Sequence, residues 1–242
     1  MSSIVEAAED VVQEKNGVLK CILYAIPIFI SYVLYRIDLF PPFYAMTILT
    51  TIMLLTVTKI IFNNVRSSKD YVHPRCGILG FIFEGIKLTF ITLPIFAICS
   101  TIGYFLIQIQ IPIFWEHAQL IYTIIVWSLL GSMVLSSIMF YSRNNRFSDA
   151  YNFKEIFHYC ADILVTVIFG LPRLVLLNLA TLGVITYIFY FFFELDNYFY
   201  AFLCCVAASL NVAILAHFLA QVDYETVKHE DTNDMTNTLD TF

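Results

Sequence analysis

The chain has 242 residues, of which 60% are hydrophobic, 17% aromatic and only 13% charged. A soluble domain has about a quarter charged residues, so this composition excludes an ordinary soluble protein and indicates a membrane protein. The net charge of −6 lies mainly in acidic ends, and no basic face of the kind that binds nucleic acid accompanies it. The cysteines lie mostly in apolar runs and are interpreted as packing residues, because they form no disulfide framework pattern.

The order of apolar runs predicts an all-α fold, a polytopic membrane helical bundle of six transmembrane helices with two amphipathic elbow helices on the cytoplasmic side. Residues 1–16 form a polar leader that lacks the cleavage pattern of a signal peptide. Residues 17–222 form the membrane domain, and residues 223–242 form an acidic, disordered tail. The predicted spans are 18–34, 43–62, 95–114, 120–141, 174–193 and 198–220.

The first elbow is predicted from an apolar run that is too long for one crossing. As a single helix, residues 76–115 would measure about 60 Å at 1.5 Å per residue, about twice the hydrocarbon core of the bilayer. We therefore expect a break at Pro94. An elbow helix over 77–92 precedes that break, and Glu84 and Lys87 are spaced to pair within it.

The second elbow is predicted from the longest polar interruption of the chain, at 142–160. With Ser148 or Asp149 as the N-cap, the helical period predicts an elbow over 148–171. It places five residues on one face, namely Ala150, Phe153, Ile156, Phe157 and Cys160. A short amphipathic helix with a basic approach is typical of segments on an inner membrane surface. The expected membrane-surface residues are Arg143, Arg146, Phe153 and Phe157. A single kinked span that begins near Ala161 is the alternative for the fifth crossing.

The positive-inside rule predicts the orientation. Most lysines and arginines fall in predicted inner segments, whereas Arg36 alone lies in a predicted outer turn. We therefore expect a multi-pass protein of the cytoplasmic membrane with both termini in the cytoplasm. Its expected partners are the lipid bilayer and the anionic lipids of the inner leaflet.

A repeated spacing relates three parts of the chain. The Leu-Pro pair at 93–94 recurs at 171–172, and the same offset relates the predicted second, fourth and sixth spans. Phe62, Phe140 and Phe218 mark the ends of these spans. The pattern indicates parallel repeats, and the regular spacing that membrane thickness imposes is the alternative explanation.

Two His/Cys pairs are the residues most suited to bind a metal. They are His73 with Cys76, and His158 with Cys160. Four such ligands bind zinc only when they converge, and neither spacing is a zinc signature, so surface histidines beside buried thiols are the favoured interpretation. No catalytic motif is present. The sequence therefore predicts no catalytic residue, no metal and no cofactor.

Asn178 and Asn211 are the clearest polar residues within predicted spans. A polar side chain in a span forms interhelical hydrogen bonds or marks the path of a solute. The small residues at 207–209 favour the first interpretation.

The run RFSDAYNFKEI at 146–156 resembles a motif of a family of uncharacterised bacterial and archaeal membrane proteins that share a domain of unknown function. The stretches HPRCGILGFIFEG at 73–85 and AHFLAQVDY at 216–224 are also similar to that family, except that Ala220 replaces its usual glycine. The likeness covers about residues 17–225. It implies six spans with a short amphipathic segment, and it implies no activity.

The sequence thus predicts a non-enzymatic structural or interaction protein whose elbows bind the inner leaflet. The alternative is a small-solute or ion transporter with a path near the fifth and sixth spans. An enzyme at the inner face would depend on the His/Cys pairs. Substrate and oligomeric state are not specified by the sequence.

Overall fold

The computed structural model describes residues 4–69, 71–74, 78–108, 118–160 and 197–239, with isolated positions at 172, 173, 176, 183, 184 and 187. Every regular element in these ranges is helical, which confirms the all-α part of the predicted fold. The helices are α1 (Ile4–Gln13), α2 (Gly17–Arg36), α3 (Phe40–Arg66), α4 (Ile78–Ile107), α5 (Ala118–Asn144), α6 (Phe147–Ala150) and α7 (Asn197–Leu239). Residues 153–160 are also helical.

Four of the described helices are long and apolar enough to cross a membrane. They are Gly17–Arg36, Phe40–Arg66, Leu79–Ile107 and Tyr198–Glu225. These helices support the predicted transmembrane class. The predicted fourth span lies within α5, and the predicted fifth span lies almost entirely outside the described residues. Six spans therefore stay a prediction.

The predicted break at Pro94 is wrong, because α4 continues through it from Ile78 to Ile107. A proline inside a transmembrane helix removes one backbone hydrogen bond, and the remaining helix tolerates that loss. At 1.5 Å per residue α4 is about 45 Å long, which matches the bilayer with its headgroup regions. Large exposed side chains occur along the whole helix, from Leu79 (74% exposed) to Phe105 (65% exposed). A separate elbow over 77–92 is therefore not confirmed.

The second predicted elbow begins earlier than expected and is interrupted. α6 begins at Phe147 after Arg146, whose side chain makes no capping hydrogen bond. The predicted N-cap at Ser148 or Asp149 is therefore wrong. The chain turns at 151–152, continues as a helix over 153–160, and leaves the described residues at 161–171.

The described chain forms two compact units, residues 1–85 with 170–242, and residues 86–169. In the first unit α2, α3 and α7 contact one another, and α1 contacts α2 and α7. The helices α2 and α7 approach closely at small residues. This is shown by Ser209 Oγ, which donates a hydrogen bond of 2.7 Å to the Cys21 carbonyl. Such small-residue contacts are the usual basis of helix association in membranes.

The second unit has its own apolar core, formed by Ile95, Cys99, Val126 and Leu130. In this unit α5 packs against α6. The Tyr151 hydroxyl donates a hydrogen bond of 3.1 Å to the Ile91 carbonyl, which ties the turn after α6 to α4.

The helix boundaries support the internal repeat. α3 ends at Arg66 and α5 ends at Asn144, and the offset between these two ends equals the offset between the two Leu-Pro pairs. Phe62, Phe140 and Phe218 are 3%, 7% and 3% exposed, so all three equivalent side chains are buried.

After each of the two helices, a carbonyl at an equivalent position accepts a hydrogen bond from the preceding helix. Asn64 donates to Val72 at 3.0 Å, and Ser137 donates to Ala150 at 2.8 Å. The two donors are not at equivalent positions, so the internal repeat stays a prediction.

Candidate functional site

The first candidate site is the basic and aromatic segment at 143–160, which we call the elbow segment. The Arg143 guanidinium lies 4.4 Å from the ring centroid of Phe140 and 5.4 Å from that of Tyr159. Both distances fit a cation–π interaction. Arg143 is therefore half-buried and packed between aromatic rings, whereas Arg146 and Lys154 are exposed.

Three phenylalanines of the elbow segment point away from the protein. Phe147, Phe153 and Phe157 are 53%, 44% and 64% exposed. The predicted apolar face therefore divides into two rows. The row with Ile156 and Cys160 is buried, and the row with Phe153 and Phe157 faces outward. Neighbouring i, i+4 rows of one helix differ by about 60° in direction. One wide apolar stripe therefore contains a row that is buried and a row that faces outward.

The inner row fixes the outer row in place. The Ala150 carbonyl accepts a hydrogen bond from Ser137 at 2.8 Å, and Ser136 Oγ lies 3.2 Å from Cys160 Sγ. Both contacts join the elbow segment to α5. These contacts to α5 therefore fix the backbone that carries the exposed phenylalanines.

The second candidate site is a group of polar residues around α1 in the other unit, which we call the α1 cluster. Its members are Asp10, Glu14, Lys20, His73, His217 and Gln221. The local turn begins with Asn16, whose φ of 64° is left-handed and is tolerated by asparagine. The Gly17 N–H then donates to the Glu14 carbonyl at 2.7 Å. This turn brings the end of α1 beside the start of α2.

The Glu14 carboxylate is the most connected group of the α1 cluster. One oxygen accepts hydrogen bonds from the backbone N–H groups of Val72 at 2.9 Å and His73 at 2.7 Å. The other oxygen lies 2.6 Å from Lys20 Nζ. Burial by itself raises the pKa of Glu14, but the hydrogen bonds from Lys20, His73 and Val72 outweigh it, and the net pKa lies below its ordinary value. Glu14 is thus held as a carboxylate that ties the loop at 71–74 to α1 and α2.

The His73 side chain is fully buried beside this carboxylate. It has no exposed surface, and neither ring nitrogen makes a hydrogen bond of good geometry with the residues that the structure describes. The Tyr24 ring centroid is 5.9 Å from its own. Burial lowers the pKa of His73; the Glu14 charge and the Val11 carbonyl oppose that shift, and Lys20 and His217 add to it. The net pKa is below the ordinary value, so the docked fold favours the neutral imidazole.

A second histidine joins α1 to α7. His217 Nε2 lies 2.9 Å from Asp10 Oδ2, and Gln221 Nε2 lies 3.4 Å from the same oxygen. The His217 side chain is 6% exposed and that of Asp10 is 55% exposed. One end of this contact is therefore buried, and the other faces the surroundings of the protein.

An ion pair also joins α3 to the start of α4, at residues that both belong to the first unit. Lys59 Nζ on α3 is 2.9 Å from Glu84 Oε2 on α4, with side chains 4% and 34% exposed. The helices meet closely there, because a Cβ atom on Gly85 would collide with Ile52 and Thr56. The sequence did not predict Lys59, which belongs to the preceding helix, and the predicted pairing of Glu84 with Lys87 stays a prediction.

The other predicted site residues have different outcomes. Asn178 and Cys76 lie outside the described residues. Asn211 lies half-buried in α7 and has an interaction partner within the protein, which suits a packing role. His158 is exposed, while Cys160 is buried. Within the described part of the chain, no group of three or more His, Cys, Asp or Glu residues is arranged to hold a metal ion.

The α1 cluster was not predicted from the sequence. The only signal was the apolar period of α1, whose buried residues are Ile4, Ala7, Ala8 and Val11. That period predicts that one face of α1 packs against another part of the protein. It does not identify His73, which follows α3, or His217, which lies in α7.

No family model, no curated protein and no solved structure matches this chain. The resemblance to a family of uncharacterised membrane proteins stays a prediction.

Proposed function

We propose that this protein is a non-enzymatic, multi-pass interaction protein of the cytoplasmic membrane whose elbow segment binds the inner leaflet and its anionic lipids. The observation that carries the proposal is the exposure of Phe147, Phe153 and Phe157 on a backbone that α5 holds. Aromatic residues with nearby basic residues are the usual composition of interfacial segments.

The aromatic side chains supply most of the expected binding energy. Complete burial of a phenylalanine stabilises by about 1.5–3 kcal/mol, so each half-exposed ring contributes about 1 kcal/mol when it enters the interface. Arg146 and Lys154 add about 1 kcal/mol each near an anionic surface. The exposed Glu155 offsets about one of these charges. The phenylalanine rings therefore insert the elbow segment into the interface. The small net positive charge of its exposed side chains favours anionic lipids.

The test is lipid retention by the purified full-length protein. Native mass spectrometry of protein released from mixed anionic and zwitterionic nanodiscs would count the anionic lipids that remain bound. We expect the paired substitutions Arg146→Gln and Lys154→Gln to lower this number, whereas Lys69→Gln, an exposed cation of the other unit, leaves it unchanged. Equal retention by the paired variant and by wild type would refute the lipid preference.

A small-solute or ion transporter is the second candidate function. The Lys59–Glu84 pair within two candidate spans favours it, because ionisable residues in spans commonly line transport paths. A transport role predicts that Glu84→Gln abolishes flux in protein that is folded and inserted. Proton flux in proteoliposomes, followed with an internal pH dye under an imposed potential, is the first flux to measure. Equal proton flux in wild type, in Glu84→Gln and in empty liposomes would remove proton transport from consideration.

A further inference from the structure

We propose that His73 is a proton-binding site that controls the docking of α1. In this proposal, α1 stays packed on α2 and α7 while His73 is neutral. Uptake of one proton by His73 favours a state in which α1 separates from them. The ligand is the proton, and the sensing group is in the loop that follows α3.

The geometry around His73 leaves little room for a charged imidazole. Its side chain is fully buried, and neither ring nitrogen has a hydrogen bond of good geometry among the described residues. The Val11 carbonyl at the end of α1 is the backbone acceptor that acts on the ring, and it satisfies at most one of the two N–H groups of a charged imidazole. A Cβ atom added to Gly17 would lie 3.5 Å from His73 Nε2 and would collide with the Val11 carbonyl. The end of α1 and the start of α2 are therefore packed directly on the ring. A protonated ring has two N–H donors, and water reaches them only when this packing opens.

The charges that face His73 come from every element packed on it. Among the described residues, Glu14 is the acid that acts on the ring, and both of its oxygens already accept hydrogen bonds. Lys20 on α2 and His217 on α7 oppose a positive charge on the ring. Tyr24 contributes an aromatic ring. A carboxylate that is shared with Lys20 compensates a second buried cation only in part.

The sign of the pH dependence follows from linkage. In the separated state His73 is exposed to water and titrates near its ordinary value of 6.5, whereas in the docked state its pKa is lower. Above this value both states are neutral and docking is independent of His73. Below it the separated state binds the proton first, so the docked population falls by at most about tenfold per pH unit. The fall ends once pH passes below the pKa of the docked state.

The Asp10–His217 contact is a second polar link between α1 and α7. Asp10 is 55% exposed at its side chain, so solvent screens this contact. The loss of docking is therefore assigned to His73.

Hydrogen exchange on the full-length protein in nanodiscs tests the proposal. Amide protection factors in α1, corrected for the intrinsic pH dependence of exchange, are measured at pH 7.5, 6.5 and 5.5. We expect protection in α1 to decrease by up to about fivefold between pH 6.5 and 5.5, while the core of α3 keeps its protection. Constant protection of α1 in the wild type would overturn the proposal without any variant.

Three kinds of variant identify the sensing residue. His73→Phe and His73→Gln cannot bind the proton, so either one, when folded, should give α1 protection that no longer depends on pH. His158→Gln removes an exposed histidine of the other unit and should behave as wild type. Asp10→Asn should lower protection at every pH and keep the decrease. The proposal is overturned if the decrease persists in a folded His73 variant, or if Asp10→Asn abolishes it.

Discussion

Substitution Glu14→Gln tests how α1 is held to the rest of its unit. The Glu14 side chain is 5% exposed and forms three polar contacts, to Lys20 and to the N–H groups of Val72 and His73. Glutamine keeps one oxygen that accepts from the backbone. It loses the contact to Lys20, because its amide nitrogen is a donor and faces another donor.

The magnitude follows from these contacts. A hydrogen bond to a charged group stabilises by about 1.5–3 kcal/mol. The Lys20 side chain is 22% exposed and regains water when the contact is lost, which limits the cost. We expect the variant to weaken α1 docking by about 2 kcal/mol, about 30-fold in the docking equilibrium.

The assay is hydrogen exchange of α1 at pH 7 in nanodiscs, with Glu9→Gln as the matched control. Glu9 is an exposed acid of the same helix, so its substitution changes the charge equally without breaking the contact. Because the pKa of Glu14 is lowered, its stabilisation is present above 4.5 and is lost as pH falls through the lower, docked-state value. The difference between wild type and Glu14→Gln should therefore shrink towards pH 4. Equal α1 protection in the two variants at pH 7 would refute the assigned role of the carboxylate.

Two further predictions concern the contact between α3 and α4. Glu84→Gln removes the negative charge that faces the buried Lys59, so it should destabilise by about 3 kcal/mol, more than Lys59→Met, which leaves the partly exposed carboxylate instead. Thermal unfolding in detergent compares the two, and the reverse order would contradict the burial argument. Gly85→Ala should cost about 1–3 kcal/mol because its Cβ collides with α3. Gly80→Ala is the matched control, since its Cβ meets nothing within 4 Å and alanine favours the helix by about 1 kcal/mol; equal melting temperatures for the two variants would contradict the close approach.

The apolar pattern was sufficient to predict three of the four helices that are candidate spans in the described part of the chain. The predicted first and second spans lie within α2 and α3, and the predicted sixth lies within α7. The length of these apolar runs identifies them as spans, because a helix needs about 20 apolar residues to cross a bilayer. At Pro94 the local rule failed. A proline breaks an isolated helix, yet in a continuous apolar segment the remaining backbone hydrogen bonds keep α4 intact.

The periodic pattern of the elbow segment predicted which residues are apolar but not the direction that each one faces. Phe153 and Ile156 both belong to the apolar stripe, and only the second is buried. The direction depends on where α5 packs, through Ser136 and Ser137. That contact arises from tertiary structure and leaves no periodic signal in the elbow segment itself.

The α1 cluster also depends on tertiary contacts that leave no signal in the local sequence. Asp10 on α1 meets His217 near the end of the predicted sixth span, and Glu14 reaches His73 beyond α3. Each of these residues alone resembles an ordinary polar residue at the end of a span. Their common location follows from the packing of α1, α2 and α7 and is not encoded in any short motif.

Depth of the elbow segment in a bilayer is the measurement that tests the central claim most directly. Spin labels would be introduced singly at 153, 154, 157 and 158 through an unnatural amino acid, so that the native cysteines stay in place. Accessibility to oxygen and to a water-soluble relaxation agent would then be measured in nanodiscs with anionic lipids. We predict shallow lipid contact at 153 and 157 and water contact at 154 and 158. Uniform water contact at all four positions, or a common depth near the bilayer centre, would contradict the binding of the elbow segment to the membrane surface.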